Sequence, residues 1–310
     1  MPRSSSVHPT CGRTCPHSRP GGDGKSQVSE LAKELDTLVE GFRNCPLEDG
    51  PYTFVWLDAM TRRCREGGRV VNVATVIATG VTADGHREIL GLDVVTSGDG
   101  AGWTEFLRGL VARGLSGVKL VISDAHSQLK AAIAEEPPGS SWQRCCAHFM
   151  RNLLRKVPKA SQELVATLVR SIFDQPNALE VWAQHARVVG HLAERLLEAA
   201  DLLSDAAQDI LAFSTFSKQR WRQIWSSNLQ ERLNREIRRR TDVVGIFSNR
   251  AAIVRLVGAV LAEQNDEWEA TRRYMSVVLL GKAQVDSDPV QHNELDETKE
   301  DHVLVEQLVA

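Results

Sequence analysis

What this chain lacks narrows it before anything it contains. It has no apolar run approaching the roughly 20 residues that a membrane span requires, and no apolar core of the kind that a secretory signal carries near its N-terminus. Its six cysteines, at positions 11, 15, 45, 64, 145 and 146, do not follow the spacing of a secreted disulfide framework. Together these absences predict a soluble cytoplasmic protein with reduced thiols and no membrane partner. No internal repeat is visible. Strong positive charge is missing as well: the formal net charge is −3, so the average composition does not advertise a nucleic-acid partner.

The 310 residues are 42% hydrophobic, enough to bury a sizeable core and consistent with a catalytic domain plus a smaller appendage. The near-neutral average conceals a dipolar layout. Residues 218–255 carry ten Lys/Arg against three Asp/Glu, whereas residues 284–310 carry one Lys against eight acids. This asymmetry predicts a basic working face and an acidic tail.

Composition changes along the chain suggest six segments. Residues 1–24 are rich in Ser, Pro, Gly, Arg and His and have almost nothing to bury, the signature of disorder. In residues 25–48, Val28, Leu31, Leu35 and Leu38 fall at helical spacing behind Ser26 or Ser29 as N-cap, and a linker follows. Residues 49–149 read as a strand-rich block. Strands are expected at 52–59, 69–81 and 87–98, the last two joined by a turn at 83–85. A helix over 102–115 closes at Gly114, a buried strand runs 118–126, a helix over 127–136 stops at Pro137 and Pro138, and a last strand covers 142–149. Residues 150–225 are helical throughout, with one long helix over 178–203. Residues 226–282 hold an arginine-rich helix and the apolar helix 250–268, and the acidic tail occupies 283–310. Three meandering strands followed by alternating helices and strands predict an α/β layer architecture.

Three acids stand out by position. Asp58 in "WLDA" and Asp124 in "VISDAH" each end an apolar strand, and Glu231 lies in "NLQERLN". If the two strands are neighbours, their ends set two carboxylates side by side, which repel unless a cation lies between them. Mg²⁺ suits oxygen ligands of this kind, and a third carboxylate from a helix would complete a site for phosphodiester chemistry. Plainer readings compete. An Asp after a strand often just opens a turn, and Asn228-x-x-Glu231 has the form of a helix capping box. On the same helix Leu229, Leu233 and Ile237 make an apolar stripe, while Asn228, Glu231, Arg235 and Arg238 share another face. That face offers an acid, an amide and guanidinium forks matched to phosphate.

The blocks "YTFVWLDA", "LVISDAH", "CCAHFMRN" and "NLQERLNREIRRRTDVVGIFSN" resemble the signature blocks of the bacterial Mutator-type insertion-sequence transposases, over roughly residues 25–280. The resemblance implies an RNase H-like fold, an α/β core with a mixed sheet flanked by helices and interrupted by an all-helical insertion. It implies an Asp-Asp-Glu triad of catalytic and metal-binding residues at Asp58, Asp124 and Glu231, working with Mg²⁺ or Mn²⁺. The implied activity is cleavage at terminal inverted repeats followed by attack of a freed 3′-hydroxyl on target DNA. It would be carried out by a homo-oligomer on DNA, in the bacterial cytoplasm in association with the nucleoid. Asn228, Arg232, Arg235, Arg238, Arg239 and Arg240 would contact DNA. Trp182 resembles an aromatic that related transposases hold near DNA, set against its being a buried helix residue on a stripe with Leu179 and Ala186. The family's Cys-x-x-His element matches Cys145 and His148; as a zinc site it is two ligands short even with Cys146 as a third candidate, and a structural role beside the site is expected. Cys11, Cys15 and His17 lie far away in sequence. His126 either orients a phosphate or begins the next helix.

The chain departs from the family pattern at its start. Only "KSQVSELAKELD" resembles the end of the family's N-terminal DNA-recognition region. A misassigned start or a truncated copy is expected, so the alternative to an active transposase is a DNA-binding remnant unable to transpose. A nuclease of another kind on the same fold is a third reading, against which the "RRRTDVVGIF" block argues.

Overall fold

The structure is a computed structural model, and it describes residues 25–96, 100–271, 273–278 and 280. The expectations for residues 1–24, including Cys11, Cys15 and His17, and for the acidic tail from 283 fall outside the described residues.

The chain opens with helix α1 (Lys25–Arg43). The helix already includes Ser26 and Ser29, so neither serves as its N-cap. Its buried side also differs from the expected stripe. Leu31 is exposed and Leu35 and Leu38 are half-buried, while the neighbouring Val39 is fully buried.

Strands β1 (Phe54–Glu66), β2 (Arg69–Val81) and β3 (Arg87–Thr96) form an antiparallel meander. β1 runs seven residues past its expected end, paired with β2 as far as Glu66 and Arg69. Gly67 and Gly68, at φ 54° and 76°, supply the two positive-φ residues that a tight hairpin needs. In the extension Met60 and Cys64 are buried, whereas Thr61, Arg63 and Arg65 are exposed. That is the period-2 pattern of a half-buried strand, disguised by its arginines.

Helix α2 (Gly100–Ala112) leads to β4 (Leu120–Ser123), and α3 (Ser127–Glu135) leads to β5 (Ser141–Arg144). β4 lies parallel to β1 and β5 parallel to β4, giving one mixed sheet in the order β3-β2-β1-β4-β5. The expected strand 142–149 is half wrong. After β5 the chain turns into α4 (Cys146–Arg155), with Phe149 and Leu153 buried at helical spacing. The remaining elements up to residue 224 are helical: α5 (Gln162–Phe173), α6 (Ala178–Ala193), α7 (Leu197–Asp205), α8 (Ala207–Leu211) and α9 (Trp221–Ile224), with short 3₁₀ turns between some of them. The single helix expected over 178–203 therefore breaks into two. Helices α10 (Asn228–Thr241) and α11 (Arg250–Glu269) complete the described chain. Among the described residues no helix is long and apolar enough to cross a membrane.

The faces of the sheet follow from strand parity. Val55, Leu57 and Val121 point to one face, where Trp103, Phe106, Leu107 and Leu110 of α2 and Leu129 and Ile133 of α3 cover them. Two separate clusters cover the opposite face. Phe54, Trp56, Leu120 and Ile122 join the helices from α4 to α9. Met60, Cys64, Val73 and Ile77 join Leu233 and Ile237 of α10 and Ile253, Val257 and Leu261 of α11. α1 lies on α11, held by a two-point ion pair in which Arg255 Nε and Nη2 donate to Asp36 Oδ1 and Oδ2, each at 2.6 Å.

Candidate active site

Trp56 and Ile122 are the last paired residues of the parallel strands β1 and β4. Two residues further on, Asp58 lies within β1, whereas Asp124 lies just past the end of β4 at Ser123. Asp58 carries the parity of Trp56 and lies on the face that α10 covers, and both aspartates lie near enough to His148 to favour its charged form. On this face Asp58 falls in the seam between two apolar clusters, with Trp56 in one and Met60 in the other.

Helix α10 crosses this seam with a polar contact surface. Buried Gln230 donates its Nε2 to the carbonyls of Trp56 at 3.1 Å and Ile77 at 3.4 Å. Asn234, one turn further on, donates its Nδ2 to Asp58 Oδ2. The Trp56 indole N–H donates to the carbonyl of Ser226 at 3.1 Å and fixes the chain where it enters the helix. Leu233 and Ile237 are buried as the apolar stripe requires; the side chain of Leu229 lies outside the described residues. Burial pushes the Asp58 carboxyl up, opposed by the Asn234 amide, the Ala59 backbone and the His148 and Arg238 charges. Asp124 is half-buried and accepts the Ala125 N–H at 2.7 Å, so it also shapes the turn into α3. His126 occupies the N-cap position of α3 without a side-chain cap bond, which agrees with its beginning the helix.

The capping-box explanation of Glu231 fails. α10 has Ser227 at its N-cap position with no side-chain cap bond, and Asn228 is already inside the helix. The Ser227 hydroxyl is committed elsewhere, donating to Cys145 Sγ at 3.0 Å, with the Ser227 N–H 3.3 Å from the same sulfur. Glu231 is left exposed in the first turn, three residues before Asn234 and hence on the same side of the helix. Among the described residues, no three His, Cys, Asp or Glu side chains converge as they would around a metal ion.

Asn228, Arg232, Arg235, Arg238 and Arg239 are exposed along α10, and Arg240 is half-buried. Arg239 pairs with Glu236 at 3.0 Å and Arg240 with Glu263 at 2.7 Å. Exposed pairs of this kind contribute little to stability.

Cys145 is fully buried and joins the start of α4 to the start of α10. Burial pushes its thiol up, but hydrogen bonding with His148 and Ser227 outweighs this and holds it below the ordinary value. The Cys145 sulfur pushes His148 up against an opposing effect of burial, with further contributions from Asp124 and Asp58. His148 Nδ1 is buried and has no hydrogen-bond partner. Cys146 turns the other way, its sulfur 3.6 Å from the Ile210 carbonyl in the helical cluster.

Trp182 is half-buried against that cluster, but not on the expected stripe. Leu179 and Ala186 are exposed, and α6 buries Val181, His185, Val188 and Leu192 instead. Sequence reasoning missed Gln230 and Asn234. The available signal was two amides interleaved with Leu233 and Ile237 at i, i+4 and i+7, where an apolar stripe should have no polar member.

The chain matches the model of the family described as "Transposase, Mutator family" over residues 21–271. It is 59% identical over 259 residues to the transposase for insertion sequence element IS1081 of Mycobacterium tuberculosis, covering 84% of this chain and 62% of that protein. It is 36% identical over 252 residues to the transposase for element ISRM5 of Rhizobium meliloti, covering 81% and 63%. With the transposase for element IS256 in transposon Tn4001 of Staphylococcus aureus, the identity is 35% over 255 residues, covering 81% and 65%. The chain thus spans about three fifths of the length of the curated relatives it matches. The Drosophila P element transposase strand transfer complex overlaps it with a TM-score of 0.32 at 12% identity, over 85% of this chain and 78% of that one, too slight a likeness to argue from. By the match over residues 21–271, this chain belongs to the Mutator family of transposases.

Proposed function

We propose that this chain is the catalytic part of a DNA transposase that cuts at insertion-sequence ends and joins the freed 3′-ends to target DNA. One observation carries the reading. Asp58 in β1 and Asp124 just past the end of the parallel neighbour β4 both act on His148, and α10, whose Asn234 holds Asp58, also carries Glu231 and a row of exposed arginines. The sheet order β3-β2-β1-β4-β5, with helices on both faces, supports an RNase H-like core. The helices from α4 to α9, lying between β5 and α10 in the chain, read as the all-helical insertion.

The donor set fits Mg²⁺ or Mn²⁺. Asp58, Asp124 and Glu231 offer only carboxylate oxygens, and Asn234 Oδ1 is a buried acceptor without a partner beside Asp58. When bound, such ions supply an activated hydroxyl nucleophile and neutralise charge on the leaving oxygen. Asp58 and Asp124 would hold them, with Glu231 as the third ligand, while the Asn234 amide orients the Asp58 carboxylate. His148, biased towards its charged form, offsets the two aspartates. The arginines of α10 would grip the DNA backbone in bidentate fashion, and pairing two element ends would call for at least two copies on DNA.

The test is to sequence the DNA flanking the gene and to assay cleavage of a duplex carrying any inverted repeat that flanks it, in Mg²⁺ buffer. Asp58→Asn, Asp124→Asn and Glu231→Gln are each expected to abolish strand cleavage while DNA binding stays within about threefold, under 0.7 kcal/mol. Undiminished cleavage by the Glu231→Gln variant would remove that residue from the triad. A second reading, DNA binding without transposition, is favoured by the absence of three converging acids or other metal-binding side chains among the described residues. Salt-sensitive binding with no cleavage in Mg²⁺ or Mn²⁺ would select it.

A further inference from the structure

We propose that Gln230 is a positioning residue: it fixes the register of α10 along β1, so that Asn234 reaches Asp58 and Glu231 is held in its place. This rests on the reading of Asp58 and Glu231 as active-site acids and adds the device that sets them against each other.

Helix α10 lies along β1 and in step with it. Gln230 donates its Nε2 to the Trp56 carbonyl at 3.1 Å, and Asn234, four residues on, donates to Asp58, two residues on. The charge of Arg238 reaches both Asp58 and Arg62, and Asp242, at the C-cap of the helix, faces Arg62 at 4.0 Å. Residues 230, 234, 238 and 242 thus follow β1 from Trp56 to Arg62, and the side chains of Asp58 and Arg62 share one face by parity. The two repeats match in length. Over this stretch the helix rises about 18 Å and the strand about 20 Å. Steps of four residues also drift around a helix by about 40°. The drift turns the row outward: Gln230 is 1% exposed and Asn234 8%, whereas Arg238 lies in solvent.

The apolar stripe cannot set this register alone. Leu229, Leu233 and Ile237 recur every four residues, so a slide of one turn would offer the sheet the same kind of surface. Apolar burial has no direction, whereas a hydrogen bond weakens steeply off its axis. Gln230 breaks the degeneracy. Its Nε2 lies within 3.4 Å of the Ile77 carbonyl as well, so it is fixed to two neighbouring strands, at the point where β1 ceases to pair with β4. Ser226 and Ser227 are held by Trp56 and Cys145 before the helix is under way; within it, the first described side-chain bond to the sheet is that of Gln230. Simple packing would not select an amide here. Gln230 Oε1 is buried with no hydrogen-bond partner among the described residues, a penalty that an apolar side chain would avoid. Glu231 follows Gln230 directly, so the same contact fixes where its backbone stands.

The test is a set of variants of the full chain, unfolded in urea without metal. Asn234→Ala and Asp58→Ala, made singly and together, give the coupling between the two residues as a departure from additivity. Gln230→Met keeps the side-chain length and removes the donor, and in that background the coupling is expected to vanish. Cleavage of a duplex carrying a flanking inverted repeat is expected to fall about tenfold in kcat for Gln230→Met, with KM within about twofold. Circular dichroism checks that the variant folds. If it does not, Gln230→Asn, which keeps the amide one methylene shorter, is expected to lose coupling and kcat in the same way. A Gln230→Met chain that melts earlier but keeps the full Asn234–Asp58 coupling overturns the proposal and leaves the active-site reading intact, since Gln230 then only packs. So does loss of the coupling with kcat unchanged. A wild-type chain that cleaves no flanking repeat in Mg²⁺ or Mn²⁺ removes the reaction, and with it the part of Gln230 in it, whatever the coupling shows.

Discussion

Asp58 lies at the point where two apolar clusters part, and its surroundings set its charge. Burial favours the protonated form, while the Asn234 amide and the charges of His148 and Arg238 favour the carboxylate. The sequence could nominate Asp58 from its place at the end of an apolar run, but Asn234 lies 176 residues away and no local pattern joins the two. A second acid under strain lies across the sheet. Tyr52 donates its hydroxyl to Glu88 Oε2 at 2.7 Å. Burial chiefly, with Asp49 and Glu269 adding repulsion, raises the Glu88 carboxyl to about 7 against the Tyr52 bond. Its folded value therefore exceeds the unfolded one, near 4.3. Between those two values the folded state keeps a proton that the unfolded chain has released, so stability falls as pH rises through that window. Urea unfolding at about pH 5 and about pH 7.5 should show a loss from this group on the order of 2 kcal/mol after solvent screening. Glu88→Gln should flatten that slope; an unchanged slope in the variant would show that Glu88 is not its source.

At the scale of elements, periodicity was informative when read in full. β1 alternates buried and exposed residues through to Glu66, so its extension was present in the pattern but masked by four arginines in and around the hairpin, Arg62, Arg63, Arg65 and Arg69. The run 142–149 misled for a different reason. Cys145 still donates its N–H to the Ser123 carbonyl at 2.7 Å, in line with the ladder, yet the Cys146 N–H turns to Trp225 at 2.9 Å and the helix starts there. That partner lies 79 residues on in the chain, beyond the reach of any local window. The packing of α1 on α11 also depends on one small residue. A Cβ at Gly258 would lie 2.3 Å from Val39 Cγ1, so Gly258→Ala is expected to cost about 1–3 kcal/mol through overpacking despite the better helix propensity of alanine. Thermal melts of Gly258→Ala alone and with Val39→Ala would check this. The double variant should recover part of the loss, and equal melting of wild type and single variant would mean that the helices part freely.

For the whole molecule, the helical block and the sheet share one core. Phe54, Trp56, Leu120 and Ile122 of the sheet pack in the same cluster as Val165, Val188, Leu203, Ile210 and Phe213 of the helices. Phe213 lies at the centre of an edge-on aromatic group with Trp221 and Trp225, at centroid distances of 5.2 and 5.6 Å. The sheet and helices should therefore unfold together. Tryptophan fluorescence and far-ultraviolet dichroism are expected to report coincident transitions, and Phe213→Ala to shift both by about 3–5 kcal/mol. Early melting of helical signal in the variant, with the sheet intact, would show two independent units.

The sequence by itself determined the order of strands and helices, the family and the exposed arginine face of α10, because each is written in residue type and local period. Only the tertiary structure decided that β1 and β4 lie side by side and bring Asp58 and Asp124 near His148, that Ser227 turns to Cys145 and leaves Glu231 outside a capping box, and that Asn234 reaches Asp58. It likewise placed loop 242–249 beside β1. These are contacts between residues tens to nearly two hundred positions apart. Strand register and helix docking are set by burying whole faces at once, and a short window of sequence shows which face is apolar but not what will cover it.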